Sequence, residues 1–387
     1  MNILVLYENE ILPEKGGVQR VTHVLFEYLR NNYNHTVSYL STKVKCKKSS
    51  EFQFFLPSIN DKSQNELYIE KLLCDLNINI IINQSGTNPS VSNYLNIPIK
   101  KNIPIISSIH TSVLTGINNF DTLYENILKP KILLKIISKT PLKHLIKYLY
   151  RLKYSRHYSN ICRISAEVVT LSERLVPEMN FITKNKFNNF TSISNPLTIN
   201  HELIVSKKNN EVLYVGRIDN TFKRVDLLLD IWKNTSRTHP TWELNILGDG
   251  PYFNEMKKRI KNENIQNVNT LGNVNPKSNY ESASILCLTS ASESFGLVIL
   301  EAFSYGIIPI LFNSFPVAEE LITDNKDGLL ITPFDIDLFS EKLSYLISNK
   351  ELRLNFADNS KKKIVFFNLE DIAKKWDTLI EEVLKKN

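Results

Sequence analysis

At 387 residues the chain is too long for one ordinary core and suits two domains of common size. Its 42% hydrophobic and 22% charged content is that of a globular protein. The net charge of +7 is confined: ten Lys/Arg and no Asp/Glu lie between residues 126 and 166, and the rest carries 37 basic against 40 acidic residues. That distribution excludes a generally basic nucleic-acid binder and points to a local anionic partner.

The first residues, "MNILVLYENE", enter a strand-like run at once, without the basic, apolar and small-residue regions of a signal peptide. No run reaches the roughly eighteen apolar residues of a spanning helix. Cys46, Cys74, Cys162 and Cys287 are far apart and form no CxxC, which argues against a disulfide framework or zinc site and fits a reducing cytosol.

In chain order, "NILVLY" (2–7) is predicted as the first strand. Gly16-Gly17 follow it and open a helix. Only 11 residues of the chain are glycine, so the pair marks either a tight turn or a backbone site that a ligand approaches closely. It is not GxGxxG, and no GxxxxGK[ST] occurs. Strands are predicted at 35–40, 78–83 and 103–110, continuous or nearly continuous and β-branched, as in buried parallel sheets. His110 ends the last of them, where a side chain points toward the site region of an α/β domain or takes a hydrogen-bonded structural role.

In the basic segment, Lys131, Lys135, Lys139, Lys143, Lys147 and Arg151 recur every four residues among Ile and Leu, and Pro141 breaks the segment into two helices. Basic amphipathic helices of this kind dock on anionic membranes; the alternative is a solvated face over a core. A strand at 167–172 follows. The domain boundary is placed near 193–200, where Asn195-Pro196 interrupts regular structure.

The second half repeats the rhythm, with strands predicted at 211–216, 242–248, 268–272, 285–290, 307–312 and 328–332, and helices at 222–237, 251–263 and 335–348. Two such series imply two doubly wound parallel-sheet domains. After 211–216 come Arg217 and Lys223, a fork and a point charge suited to a diphosphate, with Arg224 as a third cation beside them. After 285–290 comes "SASESFGLVILEAF", with a helix opening near Phe295 or Gly296 whose first amides suit phosphate. Glu301 sits inside that apolar helix. It requires solvent, a basic partner, or the hydroxyls of a sugar or ribose. The acids of "DID" (335–337) lie at a helix entry, where Asp is routine.

Together these elements resemble the retaining nucleotide-sugar glycosyltransferases of family 4. The match covers nearly the whole chain. It is strongest in Glu293/Glu301 of "ESFGLVILEAFSYGIIPI" and in "VGRIDNTFKRVDLLLDIW", with "LGDGP", "LGNV" and "DNKDGLLI" in the expected order. The resemblance implies a GT-B α/β fold: two Rossmann-like domains, 1–195 and 196–367, facing a cleft, with a C-terminal helix at 368–387 packing back on the first. It implies catalytic roles for Glu293, Arg217, Lys223 and His110. It implies donor binding by Gly16, Gly17, Gly248, Leu271, Phe295, Gly296, Leu297, Val298 and Glu301, the last holding the ribose hydroxyls. No metal or cofactor is implied, because two cations and a helix end neutralise the leaving diphosphate.

The sequence variant looks like bacterial enzymes of O-antigen, lipopolysaccharide or capsule synthesis. The expected donor is a UDP-linked hexose or N-acetylhexosamine, and the acceptor a lipid-linked saccharide. The expected location is the cytoplasm, docked on the inner face of the cytoplasmic membrane through 126–166. "VQRV" stands where an acid often follows the glycines, which leaves the acceptor contacts open. The competing readings are a soluble-glucan synthase or sugar-nucleotide epimerase of the same fold, and a non-catalytic nucleotide-sugar scaffold.

Overall fold

A computed structural model describes residues 1–43, 52–58, 60–124, 142–199 and 208–386. The chain forms two compact units. The first holds a seven-stranded sheet built from β1 (Asn2–Tyr7), β2 (Thr36–Ser41), β3 (Gln53–Phe55), β4 (Ile80–Asn83), β5 (Ile105–Ile109), β6 (Glu167–Thr170) and β7 (Phe190–Ser192). Its order is β3-β2-β1-β4-β5-β6-β7, and its described pairings are all parallel. The continuous apolar runs read from the sequence are its inner strands: Ile3, Val5, Ile80, Ile82 and Ile106 are essentially inaccessible. Helix α1 (Gly17–Asn32) follows β1, and α2 (Leu142–Ile164) precedes β6.

The second unit holds a six-stranded sheet of β8 (Glu211–Val215), β9 (Glu243–Leu247), β10 (Val268–Gly272), β11 (Ile285–Leu288), β12 (Ile308–Phe312) and β13 (Leu329–Ile331), in the order β10-β9-β8-β11-β12-β13. Its pairings are likewise parallel. Helix α3 (Val225–Thr235) follows β8, α4 (Lys277–Ser282) precedes β11, and α5 (Leu297–Ser304) follows it. Trp232 of α3 is fully buried and donates its indole N–H to Gln266 O at 2.9 Å, so the largest core side chain leaves no polar atom unsatisfied.

The last helix, α6 (Leu369–Lys386), returns to the first unit. Ile372, Trp376, Leu379 and Val383 recur at helical spacing and are buried against α1, with the rings of Trp376 and Phe26 5.8 Å apart, edge to face. His35 Nε2 meets Asp377 Oδ1 at 2.7 Å on the same seam.

Beyond shifts of one to three residues at the boundaries, the units differ from the sequence-based division in that the described residues 114–124 and 142–147 group with the second unit. The cause is local. Asn119 donates to the carbonyls of Ala291 and Ser314 at 2.7 and 2.6 Å, and Arg224 Nη1 donates to Thr122 O at 3.1 Å. The sequence-predicted helix before Pro141 lies outside the described residues. No described helix is long and apolar enough to cross a membrane.

Candidate active site

In a doubly wound sheet, ligands bind beyond the carboxyl ends of the strands where the strand order reverses direction. In the second sheet that point lies between β8 and β11. Asp219 organises the loop after β8. Its Oδ1 accepts from the amides of Thr221, Phe222 and Lys223 at 3.1, 2.6 and 3.0 Å, and its Oδ2 accepts Arg217 Nε at 2.8 Å. Burial pushes the Asp219 carboxyl up, but the Lys223 and Phe222 amides and Arg217 together hold it below the usual carboxylate range. The sequence reading missed Asp219; its signal was an Asp three residues after a strand-ending glycine.

This loop is tied to the one after β11. Phe222 O accepts from Ala291 N at 2.8 Å, and Thr289 Oγ1 donates to the carbonyls of Lys223 and Arg224 at 3.1 and 3.0 Å. Lys223 Nζ then reaches Glu293 Oε2 at 2.6 Å, while Glu293 Oε1 accepts from Ser290 Oγ at 2.7 Å. The structure therefore brings Arg217, Lys223 and Glu293 into one cluster. The Arg217 side chain is 58% exposed and stays reachable. Arg224, expected beside them, is instead spent on structure. Its side chain is 3% exposed, and Nε and Nη2 hold the Asp226 carboxylate at 3.0 and 2.8 Å.

Helix α5 begins at this cluster. Gly296 is its N-cap at φ 94°, a left-handed conformation that favours glycine. The first amides of the helix lack intrahelical acceptors and carry partial positive charge. Phe295 beneath them is buried, and Leu297 and Val298 are partly exposed. One turn further, Glu301 is 3% exposed, and its Oε2 accepts from the Tyr280 hydroxyl at 2.5 Å. Tyr280, in α4, stacks on Tyr305 with centroids 5.4 Å apart and planes 17° apart. A phenol was not among the partners foreseen for Glu301.

Gly248 has a structural explanation beyond donor binding. At φ +136°, an added Cβ would lie 1.8 Å from Gly216 O, and the Gly248 amide already donates to Gly272 O at 2.8 Å. Its lack of a side chain lets the loops after β8 and β9 approach each other. Leu271, on the edge strand β10, is 40% exposed.

In the first sheet the reversal lies between β1 and β4. Beyond it is a cavity of about 190 Å³ lined by Tyr7, Glu8, Gln84, Asn88, His110 and Tyr158, among others. His110 Nε2 lies 2.6 Å from Gln84 Oε1, and Nδ1 is buried with no hydrogen-bond partner. Since the amide oxygen only accepts, the ring carries its proton on Nε2. Burial pushes the imidazole down to about 4. Glu8 accepts from Asn9 and Asn88 and lies 3.5 Å from Lys43. Gly16 caps α1 in extended backbone, and an added Cβ there would meet nothing within 4 Å. The protein itself therefore does not require glycine at position 16.

A ring of pKa about 4 is neutral at every pH above 5. The ratio of wild-type to His110→Asn rates is therefore expected to stay flat from about pH 5.5 to 8. A ratio that changes with a midpoint near 6.5 would show a titrating ring. The stability contribution of the neutral ring is full above about pH 6.5, where unfolded His is also neutral, and is lost as pH falls toward 4.

Residues 198–363 match the family of glycosyl transferases group 1. Apart from residue 198, the matched stretch lies in the second unit. It contains Arg217, Lys223, Glu293 and Glu301. The chain is 32% identical over 217 residues to an uncharacterized glycosyltransferase of Haemophilus influenzae, a stretch covering 55% of this chain and 61% of the relative. It is 32% identical over 178 residues to a Campylobacter jejuni α-1,4-N-acetyl-D-galactosaminyltransferase whose named acceptor is a diphospho-undecaprenol-linked saccharide. That stretch covers 46% of this chain and 49% of the relative. The chain thus spans about half to three fifths of the length of these curated relatives. Among solved structures, the lipopolysaccharide outer core galactosyltransferase WaaB superposes with a TM-score of 0.71 at 22% identity, covering 99% of both chains. The two parallel-sheet units have the GT-B architecture.

Proposed function

We propose that the protein is a retaining glycosyltransferase of bacterial surface polysaccharide synthesis. It moves a hexose or N-acetylhexosamine from a UDP-linked donor to a lipid-linked saccharide, at the inner face of the cytoplasmic membrane. One observation carries this reading: Lys223, Glu293 and the amide end of α5 meet at the strand reversal of a group 1 domain. The relatives' names support the acceptor class and the two sugar classes.

The chemistry follows from the residues. The bond between the sugar's anomeric carbon and the β-phosphate oxygen breaks, and negative charge grows on the phosphate. Arg217, Lys223 and the first amides of α5 are there to stabilise it, and no divalent ion is required. Glu293 holds Lys223 in place before the donor arrives and takes a sugar hydroxyl afterwards. The acceptor hydroxyl attacks from the face the diphosphate leaves, gives its proton to that phosphate, and the configuration is retained. In the first unit, Gly16, Gly17 and the neutral His110 serve sugar and phosphate oxygens as hydrogen-bonding groups.

Glu301 takes the ribose hydroxyls, and Tyr280 positions it. Loss of a hydrogen bond to a charged group predicts that Tyr280→Phe weakens UDP binding about tenfold. Calorimetric titration with UDP and 2′-deoxy-UDP checks this. The Phe variant is expected to discriminate less between the two ligands and to melt somewhat lower, because the buried Glu301 carboxylate loses that donor. Equal UDP affinity for wild type and Glu301→Ala would remove the ribose assignment.

A further inference from the structure

Helix α4 supplies the phenol that meets Glu301, yet little of it is packed. It has six residues, too few for a helix to persist on its own. Of these described residues Tyr280 is the buried one, at 2% exposed. Pro276 caps the N-terminus without a side-chain hydrogen bond. The helix is held from its other end. The last four carbonyls of a helix have no intrahelical donor, and here each meets one. Ala283 N donates to Asn279 O at 2.9 Å, and Asn209 N to Ser282 O at 2.8 Å. Lys208 Nζ takes the two between them, donating to Tyr280 O at 2.9 Å and to Glu281 O at 3.0 Å.

Lys208 and Asn209 lead into β8, and this stretch is itself fixed. Asn209 Nδ2 donates to Glu211 Oε1 at 2.9 Å, Ser282 Oγ to Glu211 Oε2 at 2.7 Å, and Ser284 Oγ to Asn209 O at 2.5 Å. The lysine is partly buried. Burial pushes its amine down to about 8, while the Glu211 and Glu281 carboxylates pull it up. It is still protonated at pH 7, so both of its bonds are charge-assisted. A cation at this end of a helix also opposes the partial negative charge of the carbonyls.

We infer that Lys208 is a positioning residue for nucleotide recognition: by clamping the carboxyl end of α4 it holds the Tyr280 hydroxyl on Glu301 and so sets the preference for a ribose over a 2′-deoxyribose. The inference rests on the proposed ribose role of Glu301 and extends it to a residue that touches no ligand. The stack on Tyr305 restrains the plane of the Tyr280 ring. The clamp fixes where the backbone of Tyr280 sits, and with it the reach of the hydroxyl to Glu301 Oε2 at 2.5 Å.

The test is calorimetric titration of UDP and 2′-deoxy-UDP into wild type, Lys208→Met, Lys208→Arg and Glu301→Ala, with melting temperatures on the same samples. Met keeps an unbranched stem and removes the charge and the donors; Arg keeps both. Lys208→Met is expected to lose about three- to tenfold of the preference for UDP, up to the full effect of one hydrogen bond to a charged group. Lys208→Arg is expected to stay within about twofold of wild type, since its guanidinium also presents several donors. A Met variant with the wild-type preference, even one that melts lower, makes Lys208 a structural cap and overturns the inference alone. An Arg variant as impaired as the Met variant overturns it as well, by assigning the effect to the lysine stem. Equal binding of the two ligands by wild type, or the wild-type preference in Glu301→Ala, removes the ribose reading of Glu301, and the inference falls with it.

Discussion

Lys223→Ala is expected to lower sugar transfer by about 10²–10³-fold, the loss typical of removing one donor to a developing oxyanion. The fold should survive. The backbone contacts of Lys223 do not involve its side chain: its amide bonds Asp219, and its carbonyl accepts from Thr289. What disappears is the ammonium 2.6 Å from Glu293. That leaves a carboxylate only 10% exposed without its cation, at the place where phosphate charge is to develop. Steady-state kinetics should show the loss mainly in kcat, because the interaction strengthens as the bond to phosphate breaks. A rate within threefold of wild type would mean that Lys223 does not face the leaving group.

Gly248→Ala is expected to be the most destabilising single substitution in the second unit. The new Cβ would lie 1.8 Å from a backbone oxygen, Gly216 O, at a φ of +136°. No side-chain rotation relieves such a contact. The loops must separate, which breaks the bond from Gly216 N to Leu247 O at 3.0 Å and strains that from Ile218 N to Asp249 O at 2.9 Å. A cost of roughly 3–5 kcal/mol is in line with the largest single-site effects. It should lower the melting temperature by about 8 °C or more. Activity should fall with it, since the displaced loop carries Arg217 and Lys223. Gly16→Ala is the control. With open space around its Cβ and extended backbone, it should leave the melting temperature within about 2 °C of wild type. A Gly248→Ala protein as stable as wild type would show that the two loops can part freely.

The strands that position the site were legible because parallel strands buried on both faces read as nearly unbroken apolar runs, and β1, β11 and β12 are such runs. The short edge strands β3 and β7, three residues each, carry too little pattern to stand out. Glu293, Lys223 and the start of α5 were legible because strand, polar loop and helix follow directly in sequence. Partnership across sequence was not. Glu301 announced that it needed a partner, but nothing local pointed to Tyr280, which reaches it from α4, 21 residues upstream. The triple-amide grip of Asp219 depends on loop dihedrals that residue types alone do not specify. On α2 the described members of the four-residue repeat, Lys143, Lys147 and Arg151, are all partly buried. A step of four turns about 40° beyond a full circle, so such a ridge winds around the helix, and burial decides which part of it stays outside.

The most direct test of the central claim is a thermal-shift titration of wild type and Glu301→Ala with UDP, GDP and their sugar conjugates. A ligand of the native state raises its stability by mass action, so the matching nucleotide should raise the wild-type melting temperature with concentration. The shift should be larger for UDP ligands than for GDP ligands and should largely vanish in Glu301→Ala. No shift with any nucleotide, or the same shift in both proteins, would contradict a nucleotide-sugar site built around Glu301, Lys223 and the amide end of α5.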